Sequence, residues 1–251
     1  MNELPGKPTS GTSGSGVADL LAKVGYAFLA PAQLDPVLRI DTRQLDAARE
    51  WWNSLPRDQY LRDGGHYRSR RHSCFVQAFP AGALTAVPHR PHWQPTSYNA
   101  LHGGLERWFE PIAPEVVRAA VWTELLTSIG SLFAQLRPVE RWFIEAHQFR
   151  IDTAGGIGRP TPEGAHRDGV DFVALLLVQR RNVRGGETHV FDANGPSGFR
   201  FTMEEPWSLL LMDDARVIHE TTPIQPEGEQ GVRDTLVLTY RARGFQAPDG
   251  V

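Results

Sequence analysis

The sequence predicts an α+β chain with a mainly β core, in which a helical N-terminal half supports a C-terminal sandwich or barrel. Three observations carry that prediction. Apolar residues recur at helical spacing in several stretches before about residue 140, and the pattern then switches to short apolar runs. Six such runs (WFIEAHQFRI, DFVALLLV, ETHVFDA, WSLLLMDD, RVIHET and DTLVLTYRA) fall within about 105 residues, separated by the turn clusters TAGGIGRPTPEG, RNVRGG, NGPSG and PIQPEGEQG. Nineteen prolines spread along the chain suit many short elements better than long helices.

Taken in order, residues 1–16 are rich in Gly, Ser, Thr and Pro and read as a flexible tail. Val17, Leu20, Leu21 and Val24 then share one helical face, and Gly25 is a natural stop before a short strand, YAFLA. Residues 41–55 carry Leu45, Ala48, Trp52 and Leu55 at helical spacing, closed by Pro56. Residues 57–110 show no long periodicity. They hold a basic cluster, Arg68, Arg70, Arg71 and His72, which reads as a solvated surface, and the loop histidines His89, His92 and His102. The strongest helix spans residues 114–136, where Val117, Val121, Leu125, Ile129 and Phe133 recur every four residues between Pro114 and Pro138. No linker or repeat interrupts residues 17–251, which read as one domain: helical support over about 17–140 and a β core over about 141–245.

Composition removes several function classes. The 251 residues carry 26 Lys plus Arg against 29 Asp plus Glu, a net charge of −3, which argues against a nucleic-acid binder that relies on bulk positive charge. One cysteine, Cys74, excludes an intramolecular disulfide framework and Cys-rich metal sites, and reads as a small buried residue. The longest apolar run, residues 172–178, is too short to span a bilayer, and the N-terminus has no basic start followed by an apolar core. A cytoplasmic protein with no membrane partner is the expectation. Nine histidines point to histidine and carboxylate for any metal chemistry.

GAHRDGVDF places His166 and Asp168 two residues apart, on one face if the segment is a strand. His219 in ARVIHETTP is the leading second imidazole, and two His with one carboxylate on one side of a metal is the set used by non-haem Fe(II) oxygenases. Fourteen residues beyond His219 comes Arg233, then Thr235, Val237 and Thr239 on the same strand face, with Leu236, Leu238 and Tyr240 opposite. Arg and Thr side by side suit a carboxylate: a fixed fork of donors plus a hydroxyl. A surface strand end explains the same spacing equally well.

The segments HRDGVDF, GGETHVF, PWSLLLMDDARVIHETTPI and RDTLVLTYR resemble the Fe(II)/2-oxoglutarate-dependent dioxygenases. The likeness runs from about Gly25 onward and is nearest to a bacterial branch that includes free L-isoleucine hydroxylases and a protein linked to biofilm, stress and motility. The resemblance implies a double-stranded β-helix, a cupin-like jelly-roll, with N-terminal helices packed on one side. It implies Fe(II) on His166, Asp168 and His219, O2 as oxidant, and 2-oxoglutarate held through its distal carboxylate by Arg233 with Thr235 as helper. Arg241 shares that strand face and competes for the role.

The relatives point to a small zwitterionic substrate, a free L-amino acid. Tyr98, Asn99, Gln148 and Arg150 are the candidates to bind it, chosen by residue type. Gln148 and Arg150 line the pocket if His147 and Phe149 turn outward toward the helices. A carrier-bound or peptide-linked substrate, and a non-catalytic sensor on the same fold, are the alternatives.

Overall fold

The structure is a computed structural model that describes residues 13–248. Helix α1 (Gly14–Val24) starts where the Ser13 hydroxyl accepts the Gly16 N–H, and stops at Gly25, whose φ of 84° lets its N–H return to the Leu21 carbonyl at 2.9 Å. Residues 13–16 of the expected tail therefore belong to the helix and its cap, and residues 1–12 lie outside the described residues. Strand β1 (Tyr26–Leu29) follows, then α2 (Leu34–Leu38) and α3 (Thr42–Ala48), which Asp41 caps through the Arg43 N–H. The helix expected over 41–55 tightens into a 3-10 turn at Arg49–Trp52, so Leu55 lies beyond it. The long helix expected over 114–136 is broken. A single turn, α4 (Pro114–Val117), and α5 (Ala120–Leu136) flank Ala119, which is extended at ψ 133°.

Two strands had no signal of their own: β2 (Arg68–Ala78) and β3 (Ala83–Ala86). β2 is buried on both faces along most of its length, so it lacks the alternation that marks a half-buried strand. The rest of the chain is β4 (Arg141–Asp152), β5 (Phe172–Arg181), β6 (Val183–Gly185), β7 (Glu187–Asp192), β8 (Gly198–Thr202), β9 (Leu209–Asp213), β10 (Val217–Thr221), β11 (Ile224–Pro226) and β12 (Val232–Arg241).

These strands build a jelly-roll. The major sheet has the order β1-β9-β5-β12-β4-β2-β3, and the smaller sheets are β10-β7-β8 and β11-β6. Three strands of the major sheet come from the N-terminal half, so that half does more than support the core. Strand alternation divides the major sheet's two faces. Phe172, Ala174, Leu176, Leu236, Leu238 and Tyr240 join the helices in one core with Leu125, Ile129 and Phe133. Val173, Leu175 and Leu177 turn the other way and meet Val190, Val217 and Met203 between the sheets. The helices act as a rigid backing: Tyr240 Oη donates to the Leu126 carbonyl at 2.9 Å, and Trp142 Nε1 donates to the Gly130 carbonyl at 2.9 Å. No helix among the described residues is long and apolar enough to cross a membrane.

Candidate active site

One end of the space between the sheets stays open as a pocket, lined from the major sheet by alternate residues of β2, β4, β5 and β12 and from the other side by His166, Asp168, His219 and Thr221. About 990 Å³ of non-atom space lies within it, the open solvent at its mouth included.

The described residues hold two groups of His and carboxylate side chains compact enough for a metal ion: His166, Asp168 and His219, and His72, His92, Glu145 and His147. In the first, His166 lies in the loop before β5 and forms a two-bond bridge with His219 of β10, N to O at 3.0 Å and 2.9 Å. That bridge fixes both backbones, and the ring centroids sit 4.7 Å apart. His166 Nε2 is 3.9 Å from Asp168 Oδ1, and His219 Nε2 is 3.7 Å from Asp168 Oδ2. His166 Nδ1 donates to the Gly164 carbonyl at 2.9 Å, so the lone pair of the neutral ring is on Nε2, facing the carboxylate. Burial, and then the neighbouring His166, push His219 down to about 3, whereas burial opposes His166 but Asp168 and Glu163 hold it above its usual value. Burial raises Asp168. Three donors held together, His219 buried and the other two partly so, with each preference shifted by its surroundings, are what a cation would relieve.

Residues that the sequence did not single out hold this group. Asp214, fully buried, accepts the backbone N–H of Asp168 at 2.9 Å, of Gly169 at 2.8 Å and of Val170 at 3.1 Å. Gln246 Nε2 donates to the carbonyls of Asp168 and Gly169 at 3.0 Å and 2.9 Å. Gln94 Nε2 donates to Asp168 Oδ1 at 3.2 Å. Gly169 turns the chain at φ 74°, where a Cβ would lie 2.5 Å from the Tyr98 ring.

Arg233 enters the pocket from β12 at 2% exposure, and its Nε and Nη2 have no partner among the described residues. Burial and the cross-strand Arg180 bring it down to about 10, so it stays charged at neutral pH. A buried cation with unused donors fits a carboxylate ligand. Thr235, Val237 and Thr239 follow on the pocket face, as their spacing predicts. Arg241 instead donates to the Gly244 carbonyl at 3.0 Å.

The substrate candidates divide. Asn99 lines the pocket, giving its amide to Gln94 Oε1 at 3.1 Å and accepting the His102 N–H at 2.7 Å. Tyr98 is 36% exposed at a shallow groove outside, beside His166 and Glu163. Gln148 and Arg150 do not face the pocket. β4 presents Glu145, His147, Phe149 and Ile151 to it, so the neighbouring positions turn toward the helices. There Arg150 forms a two-pronged pair with the buried Asp234, at 2.8 Å and 2.7 Å. Phe149 points inward because Arg70 stacks over it, 4.3 Å from guanidinium carbon to ring centre.

Arg68, Arg70 and His72 of the basic cluster in β2 are likewise buried, whereas Arg71 is partly exposed and pairs with Glu110. Arg68 pairs with Asp58 at 2.7 Å, and His72 lies behind the pocket against Glu145. His92, His102 and Arg107, from the irregular segment between β3 and α4, line the pocket too. The available signal was in β4 itself, where Glu145 and His147 alternate with Ile144 and Ala146 in a strand rich enough in apolar residues to be buried.

The model of the 2OG-Fe dioxygenase family matches residues 49–239. Among solved structures, the chain is similar to a BsmA homologue from Methylobium petroleophilum PM1, with 53% identity, TM-score 0.91, and coverage of 98% of this chain and 97% of that one. It shares its fold with IDO from Bacillus thuringiensis (17% identity, TM-score 0.75, 94% and 98% covered). It also shares it with the Fe(II)/α-ketoglutarate-dependent dioxygenase TqaL (19% identity, TM-score 0.70, 91% and 86% covered). No curated protein matches its sequence.

Proposed function

The chain belongs to the 2OG-Fe dioxygenase family, whose members use Fe(II), 2-oxoglutarate and O2, and we propose that it hydroxylates an unactivated C–H bond of a free L-amino acid, holding iron on His166, Asp168 and His219 and the distal carboxylate of 2-oxoglutarate on Arg233. When bound, iron with 2-oxoglutarate and O2 supplies the oxidant, and succinate and CO2 leave. The observation that carries the reading is the pairing, in one pocket, of a compact His/Asp/His group with a buried Arg233 whose donors are unused.

Each residue's part follows from its surroundings. The Gly164 carbonyl holds the His166 ring in the tautomer that offers Nε2. Asp214 and Gln246 fix the backbone of Asp168 and Gly169, so the carboxylate is positioned before any ligand arrives. Arg233 fixes the far end of 2-oxoglutarate with Thr235 beside it. Val173, Leu175 and Val237 form a water-excluding apolar wall suited to an aliphatic side chain.

The test is succinate formation from 2-oxoglutarate with Fe(II), screened across the twenty L-amino acids. An apolar amino acid is expected to stimulate it, and His166→Ala and Asp168→Ala are expected to abolish it. Full succinate production by either variant would overturn the iron ligands. Stimulation only by a peptide or a carrier-bound residue would overturn the free amino acid.

A further inference from the structure

The second His and carboxylate group borders the same pocket, which His92, Glu145 and His147 line, on the side of β2 and the segment between β3 and α4. Glu145 Oε2 accepts from His72 Nε2 at 2.9 Å and from His92 Nδ1 at 2.7 Å, and His147 Nε2 approaches it at 3.9 Å. No described residue hydrogen-bonds the other oxygen, Oε1, and Glu145 lines the pocket. The protons in this group oppose a metal. Arg70 Nη2 lies 2.6 Å from His147 Nδ1, and a guanidinium only donates, so Nδ1 accepts and the proton of the neutral ring sits on Nε2. His147 therefore turns an N–H, not a lone pair, toward Glu145. Arg70 and Arg107 also lie beside the group, and their charge repels a cation.

Arg107 supplies the complementary charge. It forms a two-bond bridge with His92, 3.0 Å each way, so the side chains of the pair leave the same face, and His92 is one of the two rings that donate to Glu145. Arg107 is 2% exposed and pairs with no carboxylate; Nη2 donates to Gln94 Oε1 at 3.0 Å and Nε has no partner among the described residues. Gln94 in turn holds Asp168, so Arg107 stands one side chain away from the candidate iron ligand.

We propose that Arg107 and Glu145 form the head-group site for the substrate, Arg107 taking its carboxylate and Glu145 Oε1 its ammonium. The proposal rests on the pocket being the active site. A zwitterion matches both charges at once. The apolar wall of Val173, Leu175 and Val237 in the same pocket matches an aliphatic side chain. His72 and His92 are positioning residues, aiming the carboxylate.

The experiment uses the whole chain loaded anaerobically with Mn(II) and 2-oxoglutarate. L-Leucine, L-isoleucine and L-methionine are titrated by calorimetry, each beside its carboxamide and its des-amino acid. In the wild type, at least one amino acid is expected to bind about tenfold or more tighter than either analogue, since each analogue leaves a buried charge unmatched. Glu145→Gln is expected to erase the discrimination against the des-amino acid, and Arg107→Gln that against the carboxamide, with thermal melts confirming folded variants. Equal binding of an amino acid and its analogues by the wild type overturns the proposal without needing any variant. Binding of 2-oxoglutarate with no amino acid bound also overturns it and leaves the iron and 2-oxoglutarate reading standing. Failure of 2-oxoglutarate itself to bind defeats that underlying reading. Two Mn(II) or Zn(II) per chain, falling to one in Glu145→Gln, would make the group a second metal site and overturn the head-group site.

Discussion

Asp214 offers the sharpest test of how the proposed iron ligands are held. It touches no proposed ligand side chain; it accepts three backbone N–H groups in a row, from Asp168 on Oδ1 and from Gly169 and Val170 on Oδ2. Asp214→Asn keeps the shape and leaves one accepting oxygen. Placed at the Oδ2 position, that oxygen retains two bonds and sets an amide NH2 against the Asp168 N–H. Placed at Oδ1, it loses two. A hydrogen bond to a charged acceptor contributes about 1.5–3 kcal/mol, so the cheaper arrangement costs about that much and concentrates the loss on Asp168. Loss of a partner that orients a metal ligand typically weakens metal binding by roughly 10–100-fold. The assay is Mn(II) affinity by electron paramagnetic resonance, with a thermal melt alongside. Asp213→Asn serves as the control, because Asp213 Oδ1 takes only the nearby Ala215 N–H at 3.1 Å. A folded Asp214→Asn protein that binds Mn(II) within about twofold of wild type, against that 10–100-fold expectation, would refute the reasoning.

Three further predictions follow from single contacts. Arg233→Gln removes the unmatched buried cation; 2-oxoglutarate affinity is expected to fall about 10–100-fold, the equivalent of one charged hydrogen bond or more, with Mn(II) affinity retained, both read by calorimetry. Gly169→Ala forces a left-handed residue and a Cβ into the Tyr98 ring at 2.5 Å; a loss of about 1–3 kcal/mol in urea unfolding is expected, and an unchanged midpoint would contradict it. Burial, the first cause in each case, depresses His72, His92 and His147, with His92 at about 3. The unfolded chain thus binds protons first as pH falls. Their stabilisation is whole above the unfolded histidine value of about 6.5 and is lost as pH falls from there toward the folded values, by up to about 1.4 kcal/mol per pH unit for each group. Urea melts at pH 7 and pH 5 check this, and equal stability at the two would refute it.

The part of the site legible in the sequence was the part whose ligands sit close in sequence or on one alternating strand. His166 and Asp168 are two residues apart, and Arg233 to Thr239 runs along one face of β12. What stayed hidden depended on strand pairing. Arg70 and His147 meet only because β2 lies beside β4, and β2 carried no periodic signal because both its faces are buried. The same absence made Arg68, Arg70 and His72 look solvated. In β4 both faces mix polar, aromatic and aliphatic residues, Glu145, His147, Phe149 and Ile151 on one and Ile144, Ala146, Gln148 and Arg150 on the other, so alternation alone did not say which faced the pocket. The inward face was decided by long-range contacts, Arg70 over Phe149 on one side and Asp234 against Arg150 on the other. Helix α5 was legible because it buries one regular stripe, whereas nothing in the residue types marks the break at Ala119.

One irregularity in register shows how far such a detail reaches. Between Asp234 and Thr235 the pairing of β12 with β5 slips by a residue, so that Thr235 faces Leu177 while Asp234 faces Gln179, with Val178 as the extra residue. Before the slip, the odd positions of β5, Val173, Leu175 and Leu177, point between the sheets; after it, Gln179 points to the helix side and donates to Asp234 at 2.6 Å. Arg180 is thereby set opposite Arg233, and Gly186 lies close to both. Two like charges directly across a strand pair are destabilising. Among the described residues, Arg180 donates only to carbonyls, of Val183 and Gly185 at 3.0 Å each, and Arg233 has no carboxylate partner. Such a pair is relieved when an anion binds between or beside the two guanidinium groups. The extra residue in β5 thus places a second cation behind the one proposed to hold 2-oxoglutarate. The Thr235 carbonyl at the same irregularity accepts from Trp52 Nε1 at 3.1 Å, so the helical layer pins the point where the register changes.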